Sequence, residues 1–274
     1  PYEIAKPNAL KKNVLLIKGA EITRATPPGH FNAIFIGNTA EYDTDNSKKE
    51  NDRLAVMKAK EQNAFIFWNH PGWQPGIAGS YEWLPFVEDL YKNKALHGME
   101  VINGTGLHMK ALDWCVDKGL TVMASTDIHN LINLSYDISK DYVHRTMTLV
   151  MSKDRTPEGI REALESGRTV AWASKFLAGK EENVRNLFNA CVKLSPSFYN
   201  ENGKNGVVKY YEIQNNSDLY FELELTSGSG TKRVVLYPQT SQVITAAEGQ
   251  DSLTYDVVTT YVRSDKHLSV SLSL

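Results

Sequence analysis

The chain has 274 residues, of which 42% are hydrophobic and 23% charged, and its formal net charge is −2. This balance is ordinary for a globular protein, and the near-neutral charge gives no electrostatic reason to expect nucleic acid or an anionic membrane as a partner. No run of about twenty apolar residues predicts a membrane span, and two cysteines are too few for a disulfide framework. The length favours two domains.

Residues 13–192 alternate short apolar runs with amphipathic stretches. The apolar runs predict strands at Val14–Ile17, Phe31–Ile36, Ala64–Trp68, Met99–Ile102, Leu120–Ala124, Met147–Met151 and Thr169–Ala173. The amphipathic stretches predict helices at Lys49–Gln62, Tyr81–Tyr91, Leu107–Lys118 and Pro157–Glu165. Repeated strand–helix alternation predicts an α/β domain with a mainly parallel sheet, open or closed into a barrel.

The pattern changes after residue 193. A polar stretch with two glycines, Asn200–Gly206, is typical of a linker or turn. Six alternating runs follow, at Val207–Ile213, Leu219–Leu225, Arg233–Tyr237, Gln242–Thr245, Leu253–Val262 and Leu268–Leu274. Short alternating strands without a helix predict a small antiparallel β-sandwich. We therefore expect domains at residues 1–193 and 194–274.

Polar and ionisable residues follow four of the predicted strands. These clusters are residues 19–24, 68–73, 98–104 and 125–129, and they contain Glu21, Arg24, His70, Glu100, Asn103, Asp127 and His129. In α/β proteins the carboxyl ends of parallel strands are where functional sites are built. The sequence therefore predicts that these clusters share one site.

The residue types in the clusters suit a metal. Residues two apart in an extended chain point the same way, so Asp127 and His129 are expected to face one site together. His70 precedes Pro71, which favours an extended backbone at a strand end. A carboxylate beside an imidazole suits zinc, manganese or iron.

Taken singly, each of these residues also fits an ordinary structural role. His70 could be a histidine bonded to backbone, Glu21 a solvated loop carboxylate, and His30 an exposed residue after a turn. His97 and His108 flank helices and are expected at the surface. Three imidazoles and two carboxylates at the strand ends of one sheet nevertheless favour a metal site.

Five short motifs occur in one order along the chain. They are Gly-x-Glu-Ile-Thr at 19–23, Gly-His-Phe-Asn at 29–32, Asn-His-Pro at 69–71, Met-Glu-Val-x-Asn-Gly at 99–104, and Ser-Thr-Asp-Ile-His at 125–129. This order resembles the polymerase and histidinol phosphatase (PHP) family of metal-dependent phosphoesterases. The resemblance spans roughly residues 1–180 and leaves the C-terminal β-domain outside it.

The resemblance implies a distorted seven-stranded (β/α) barrel with two or three divalent metal ions at its mouth. By position, Glu21 would bridge two metals and His70 would bind one of them, while Asp127 and His129 would form the closing pair of ligands. His30 matches a histidine that often follows the bridging glutamate. Glu100 and Asn103 would line the pocket.

One part of the family pattern is missing from the N-terminal residues. The family's first motif, His-x-His, is expected before Glu21, but residues 1–18 contain neither His nor Asp. We expect roughly sixty to eighty further residues ahead of Pro1, from the unfilled strand count of the barrel. If nothing precedes Pro1, the chain is expected to bind metal poorly and to be inactive.

The implied reaction is hydrolysis of a small phosphorylated substrate by a water that bridges the metals. Glu21 and Asp127 would be its catalytic carboxylates. Arg24 and Arg145 are candidates for holding the phosphate, since a guanidinium forms paired bonds to its oxygens, and Asn103 would line the same pocket.

Two other functions remain open on the sequence. A metal-dependent amidohydrolase also uses a histidine-rich barrel mouth, although it usually has a lone late aspartate. A catalytically degenerate barrel could instead serve as a scaffold for a β-domain that binds protein or glycan. The appended sandwich favours a periplasmic or other extracytoplasmic setting over the cytoplasm. The oligomeric state cannot be predicted.

Overall fold

The structure is a computed structural model that describes residues 2–23, 29–39, 50–72, 82–137, 139, 144–203 and 206–274. The chain divides into two compact units, residues 1–125 with 148–169, and residues 126–147 with 170–274. Among the described helices, none combines the length and the apolar character that crossing a membrane requires.

The elements are as follows in chain order. The helices are α1 (Tyr2–Lys11), α2 (Glu50–Glu61), α3 (Pro85–Lys92), α4 (Met109–Lys118), α5 (Ile132–Ser135), α6 (Pro157–Glu165) and α7 (Glu181–Cys191). The strands are β1 (Gly19–Ile22), β2 (Phe31–Ile34), β3 (Phe65–Trp68), β4 (Gly98–Asn103), β5 (Gly106–Leu107), β6 (Thr121–Ser125), β7 (Met147–Val150), β8 (Thr169–Ala173), β9 (Phe176–Gly179), β10 (Val192–Leu194), β11 (Tyr199–Gly203), β12 (Gly206–Asn215), β13 (Phe221–Ser227), β14 (Arg233–Leu236), β15 (Ser241–Ala247), β16 (Ser252–Arg263) and β17 (Lys266–Ser273).

The first unit is built on a mixed sheet. Its strand order is β1-β2-β3-β4-β5, with β6 beside β4. Strands β3, β4 and β6 are parallel, as the strand–helix alternation predicts, but β1, β2 and β3 pair antiparallel. The connection from Ile22 to Phe31 is too short for a parallel crossover, which needs a dozen or more residues. The prediction of a mainly parallel sheet is therefore wrong at this edge.

The first strand does not lie where the apolar run predicts it. Val14–Ile17 is not a strand, and Val14 is half-exposed, whereas β1 begins at Gly19. A Cβ added to Gly19 would lie 2.9 Å from Ile34 Cγ2 on β2. The pairing of β1 with β2 therefore requires the small glycine that strand propensity disfavours.

The core of the first unit packs against the sheet. Phe65 and Phe67 of β3 form a buried cluster with Met123 of β6 and Leu164 of α6. The start of α6 is capped, because Thr156 Oγ1 accepts a hydrogen bond of 3.0 Å from the Gly159 amide and Pro157 occupies the first turn. Helix α6 therefore begins at Pro157, and its Leu164 packs against the sheet.

The second unit contains two β-sheets. In one, β12 pairs antiparallel with β10, β11 and β15. In the other, the order is β14-β13-β16-β9-β8, with β17 beside β16. The predicted strands at 207–213, 219–225, 233–237, 242–245, 253–262 and 268–274 correspond to β12 through β17. Strand β16 alternates buried and half-buried residues along most of its length, as expected for a strand with one face in a core.

For this unit, one prediction is confirmed in part and another is wrong. Of the linker or turn expected at Asn200–Gly206, the structure supports the turn, because β11 pairs antiparallel with β12 and Gly203 lies opposite Gly206. Gly206 has a φ of 113°, which a glycine adopts readily in a tight turn. Strand β8, which the sequence predicts as part of the mainly parallel sheet, is not paired in parallel with the strand that follows it. It forms an antiparallel hairpin with β9, which joins β16 in parallel.

Candidate metal centre

The first three strands bring the predicted ligands of the first unit together. Glu21 of β1 lies opposite Asn32 of β2, so His30, two residues earlier, is its diagonal neighbour on the same face. The Asn69 amide donates a 3.0 Å hydrogen bond to the His30 carbonyl, which places His70 just past the end of the β2–β3 pairing. The antiparallel edge that the sequence did not predict is therefore what assembles this cluster.

The three side chains form a compact donor set. One ligand atom from each of Glu21, His30 and His70 lies within 4.8 Å of the other two. Glu21 Oε1 is 2.7 Å from His30 Nδ1, and the rings of His30 and His70 meet edge to face with their centres 5.0 Å apart. Glu21 is exposed, His30 half-buried and His70 buried, so the cluster runs from solvent into the protein.

His70 is held from a neighbouring strand. Its φ is 30°, so the extended backbone expected before Pro71 is not formed. The His70 amide donates a 2.7 Å hydrogen bond to Glu100 Oε2, and Asn103 Nδ2 donates a second bond of 2.9 Å to the same oxygen. Glu100 and Asn103 therefore border the cluster, although Glu100 is only 1% exposed and faces the protein interior.

One more histidine belongs to this neighbourhood, and the sequence did not identify it. His108 is half-buried before α4 and is not a surface residue. Burial, with a smaller contribution from the charge of His70, lowers the pKa of its ring to about 4. The ring is therefore neutral at pH 7. A histidine before a helix gives no sequence signal of this position.

Asp127 and His129 lie in the second unit. Asp127 has a φ of 50°, so this segment is not extended and the predicted alternation of side chains does not apply. His129 Nδ1 is 2.7 Å from the Asp127 carbonyl oxygen and 3.9 Å from its Oδ1. A carbonyl only accepts, so Nδ1 carries the proton and the Nε2 lone pair is available to a ligand. Both side chains are solvent-accessible.

Two of the three predicted substrate-binding residues are described by the structure, and they belong to different units. Asn103 is bonded to Glu100 beside the cluster. Arg145 is exposed in the second unit, where its carbonyl accepts a 2.6 Å hydrogen bond from His144 Nδ1. Arg24 lies outside the described residues.

The residues of the cluster fit a divalent metal ion. One carboxylate and two imidazoles are the nitrogen and oxygen donors that zinc, manganese and iron accept. Asn69 Oδ1 is buried just before His70 and has no hydrogen-bond partner among the described residues. A buried oxygen without a partner is expected where a ligand or its water completes a site.

Comparisons with known proteins agree with both halves of the chain. A family model described as an Ig-like domain matches residues 192–273. No curated protein is significantly similar to the chain. A crystal structure from Bacteroides vulgatus ATCC 8482, described as a two-domain protein containing a predicted PHP-like metal-dependent phosphoesterase, is 37% identical in sequence with a TM-score of 0.88.

That match covers 100% of this chain and 79% of the solved one. It confirms the predicted fold, an α/β domain of the PHP type followed by an all-β sandwich. The identity and coverage together place the chain in a family rather than only in a fold. This protein belongs to the family of two-domain proteins that contain a predicted PHP-like metal-dependent phosphoesterase, and its C-terminal domain matches the Ig-like model.

Proposed function

We propose that this protein hydrolyses the phosphoester bond of a small phosphorylated substrate with the help of bound divalent metal ions. The observation that carries the proposal is the cluster of Glu21, His30 and His70, whose ligand atoms lie within 4.8 Å of one another. The relative from Bacteroides vulgatus, described as containing a predicted PHP-like metal-dependent phosphoesterase, supports the same reaction class.

The proposed ligands are Glu21, His30, His70, Asp127 and His129, holding two or three ions of zinc, manganese or iron. The proton on His129 Nδ1 supports this role, because it leaves Nε2 free to bind. When bound, such ions supply Lewis-acid activation of the phosphate and lower the pKa of an attacking water. Glu21 and Asp127 would hold ions through their carboxylates and would supply the negative charge that divalent cations need.

The remaining residues act on the substrate. Asn103 would contact a substrate oxygen while it stays bonded to Glu100. Arg145 is exposed and would hold the phosphate through paired guanidinium bonds, as would Arg24. These contacts would orient the phosphorus for in-line attack. Holding the reacting groups in that geometry would lower the barrier to hydrolysis.

Substrate profiling tests the proposal. The protein, loaded in turn with manganese, zinc and iron, is assayed on p-nitrophenyl phosphate, bis(p-nitrophenyl) phosphate, a lactone and a carboxamide. We expect metal-dependent release of nitrophenol from a phosphate ester and no turnover of the other two. Turnover of the lactone or carboxamide alone would favour an amidohydrolase. No turnover by a protein that binds no metal would favour a scaffold for the Ig-like domain.

A further inference from the structure

His70 has a backbone conformation that needs outside support. A non-glycine residue with a positive φ is strained, and His70 has a φ of 30°. The following Pro71 favours the extended region instead. Strained residues persist only where the surrounding structure holds them, and they cluster at functional sites. Some contact must therefore hold this conformation.

Glu100 makes that contact. Its Oε2 accepts the His70 amide at 2.7 Å and Asn103 Nδ2 at 2.9 Å, while the residue is 1% exposed. A carboxylate buried this deeply is costly unless its oxygens receive hydrogen bonds, and bonds to a charged acceptor are the strong ones. The pairing of β4 with β6 shifts register between Glu100 and Ile102, an irregularity of the kind that redirects side chains beside functional sites.

We infer that Glu100 is a positioning residue for the metal centre: it fixes the His70 backbone so that the imidazole meets Glu21 and His30, and it does so without binding metal itself. The inference rests on the metal site of the proposed function and is independent of which ester is hydrolysed. Residues that orient metal ligands typically change metal affinity about 10–100-fold when they are removed.

Two substitutions separate positioning from ligation. In Glu100→Gln the amide oxygen can still accept both hydrogen bonds, since both go to the same carboxylate oxygen, but the negative charge is lost. In Glu100→Ala both bonds are lost. The readout is the Kd for manganese or zinc, measured by competition with a chelating dye. Glu158→Ala, an exposed glutamate in the first turn of α6, is the control.

We expect Glu100→Gln to bind metal within about threefold of wild type, and Glu100→Ala to bind about 10–100-fold more weakly. Equal losses in the two variants would overturn the inference, because the charge itself would then be needed, as for a metal ligand. Wild-type affinity in Glu100→Ala would overturn it as well.

A measurement on the metal-free wild-type protein covers the case in which Glu100→Ala fails to fold. The His70 amide, bonded to a buried carboxylate, should exchange with deuterium far more slowly than amides of exposed loops. Exchange at the loop rate would overturn the inference. If the wild type binds no metal while this amide is protected, the proposed function fails but the support of His70 by Glu100 stands.

Discussion

Glu21 Oε1 lies 2.7 Å from His30 Nδ1, across the diagonal of the β1–β2 pairing. A carboxylate oxygen accepts hydrogen bonds, so His30 donates through Nδ1, and in the neutral tautomer that this contact selects Nε2 carries the lone pair. Carboxylates fix the tautomer of metal-binding histidines in this way. The contact therefore prepares His30 for a metal and keeps an anionic oxygen beside it.

Neutralising Glu21 should weaken metal binding. Glu21→Gln removes the only carboxylate of the described three-residue cluster, so we expect at least a tenfold rise in the Kd for manganese or zinc. Isothermal titration calorimetry measures this directly. Glu3→Gln, which removes the same charge from the exposed face of α1, should leave the Kd unchanged. Equal Kd values in the two variants would contradict the assignment of Glu21.

Removing the Asp127 carboxylate should greatly slow hydrolysis and leave the fold intact. Asp127→Ala takes one proposed ligand from a solvent-accessible segment, so we expect kcat/KM for p-nitrophenyl phosphate to fall about 100-fold or more, with little change in Tm. Asp265→Ala, in the exposed turn between β16 and β17, is the matched control. Activity that survives in Asp127→Ala would remove this residue from the site.

His97 should make the stability of the protein pH-dependent. Its Nδ1 accepts a 3.0 Å hydrogen bond from the Ile66 amide, which only the unprotonated nitrogen can do, and burial lowers the pKa of the ring below its ordinary 6.5. The folded state therefore favours the neutral ring. The resulting stability is complete above about pH 6.5 and is lost as the pH falls through the lower folded pKa.

The test is the urea midpoint at pH 7.5 and pH 5.0. His97→Asn offers an oxygen near the position of Nδ1 but does not titrate in this range. We expect wild type to lose more stability than His97→Asn between the two pH values. Identical losses would mean that His97 does not contribute to the pH dependence.

Asn215 should be essential to the stability of the Ig-like domain. It is fully buried at the end of β12, its Nδ2 donates to the carbonyls of Leu219 and Tyr237, and its Oδ1 accepts from Ser217. Asn215→Ala should lower the free energy of unfolding by about 2–4 kcal/mol, because buried polar groups lose their partners. Chemical denaturation followed by circular dichroism measures the loss.

The neighbouring Asn216 provides the control for that substitution. Asn216 is exposed and bonds through its backbone amide to the Cys191 carbonyl, which Asn216→Ala retains. This variant should change the free energy of unfolding by less than about 0.5 kcal/mol. Similar losses of unfolding free energy in both variants would show that the side-chain hydrogen bonds of Asn215 do not stabilise the domain.

The β-domain was predictable because its strands bury one face, and the alternation that results is visible in the sequence. Strand β16 runs from Ser252 to Arg263, close to the predicted 253–262. Strand β1 was not predictable from hydrophobicity, because its pairing depends on the close approach that Gly19 permits. The apolar run at 14–17 has no such partner in β2.

The candidate cluster was predictable in its residue types but not in its geometry. Glu21, His30 and His70 follow from polar residues at strand ends. The positive φ of His70 depends on Glu100, thirty residues later, and no local pattern indicates a contact over that separation. The sequence also gives no local signal for the position of His108 near His70, because the β4–β5 hairpin and the bond from the His108 amide to the Val101 carbonyl set it.

The most direct test of the central claim is a crystal structure of the protein soaked with manganese or zinc, with anomalous scattering used to locate the ions. The account predicts an ion about 2.0–2.2 Å from a Glu21 oxygen and from ring nitrogens of His30 and His70. Ions bound only elsewhere, with the contact between Glu21 and His30 still at its present 2.7 Å, would contradict the assignment of this cluster as a metal centre.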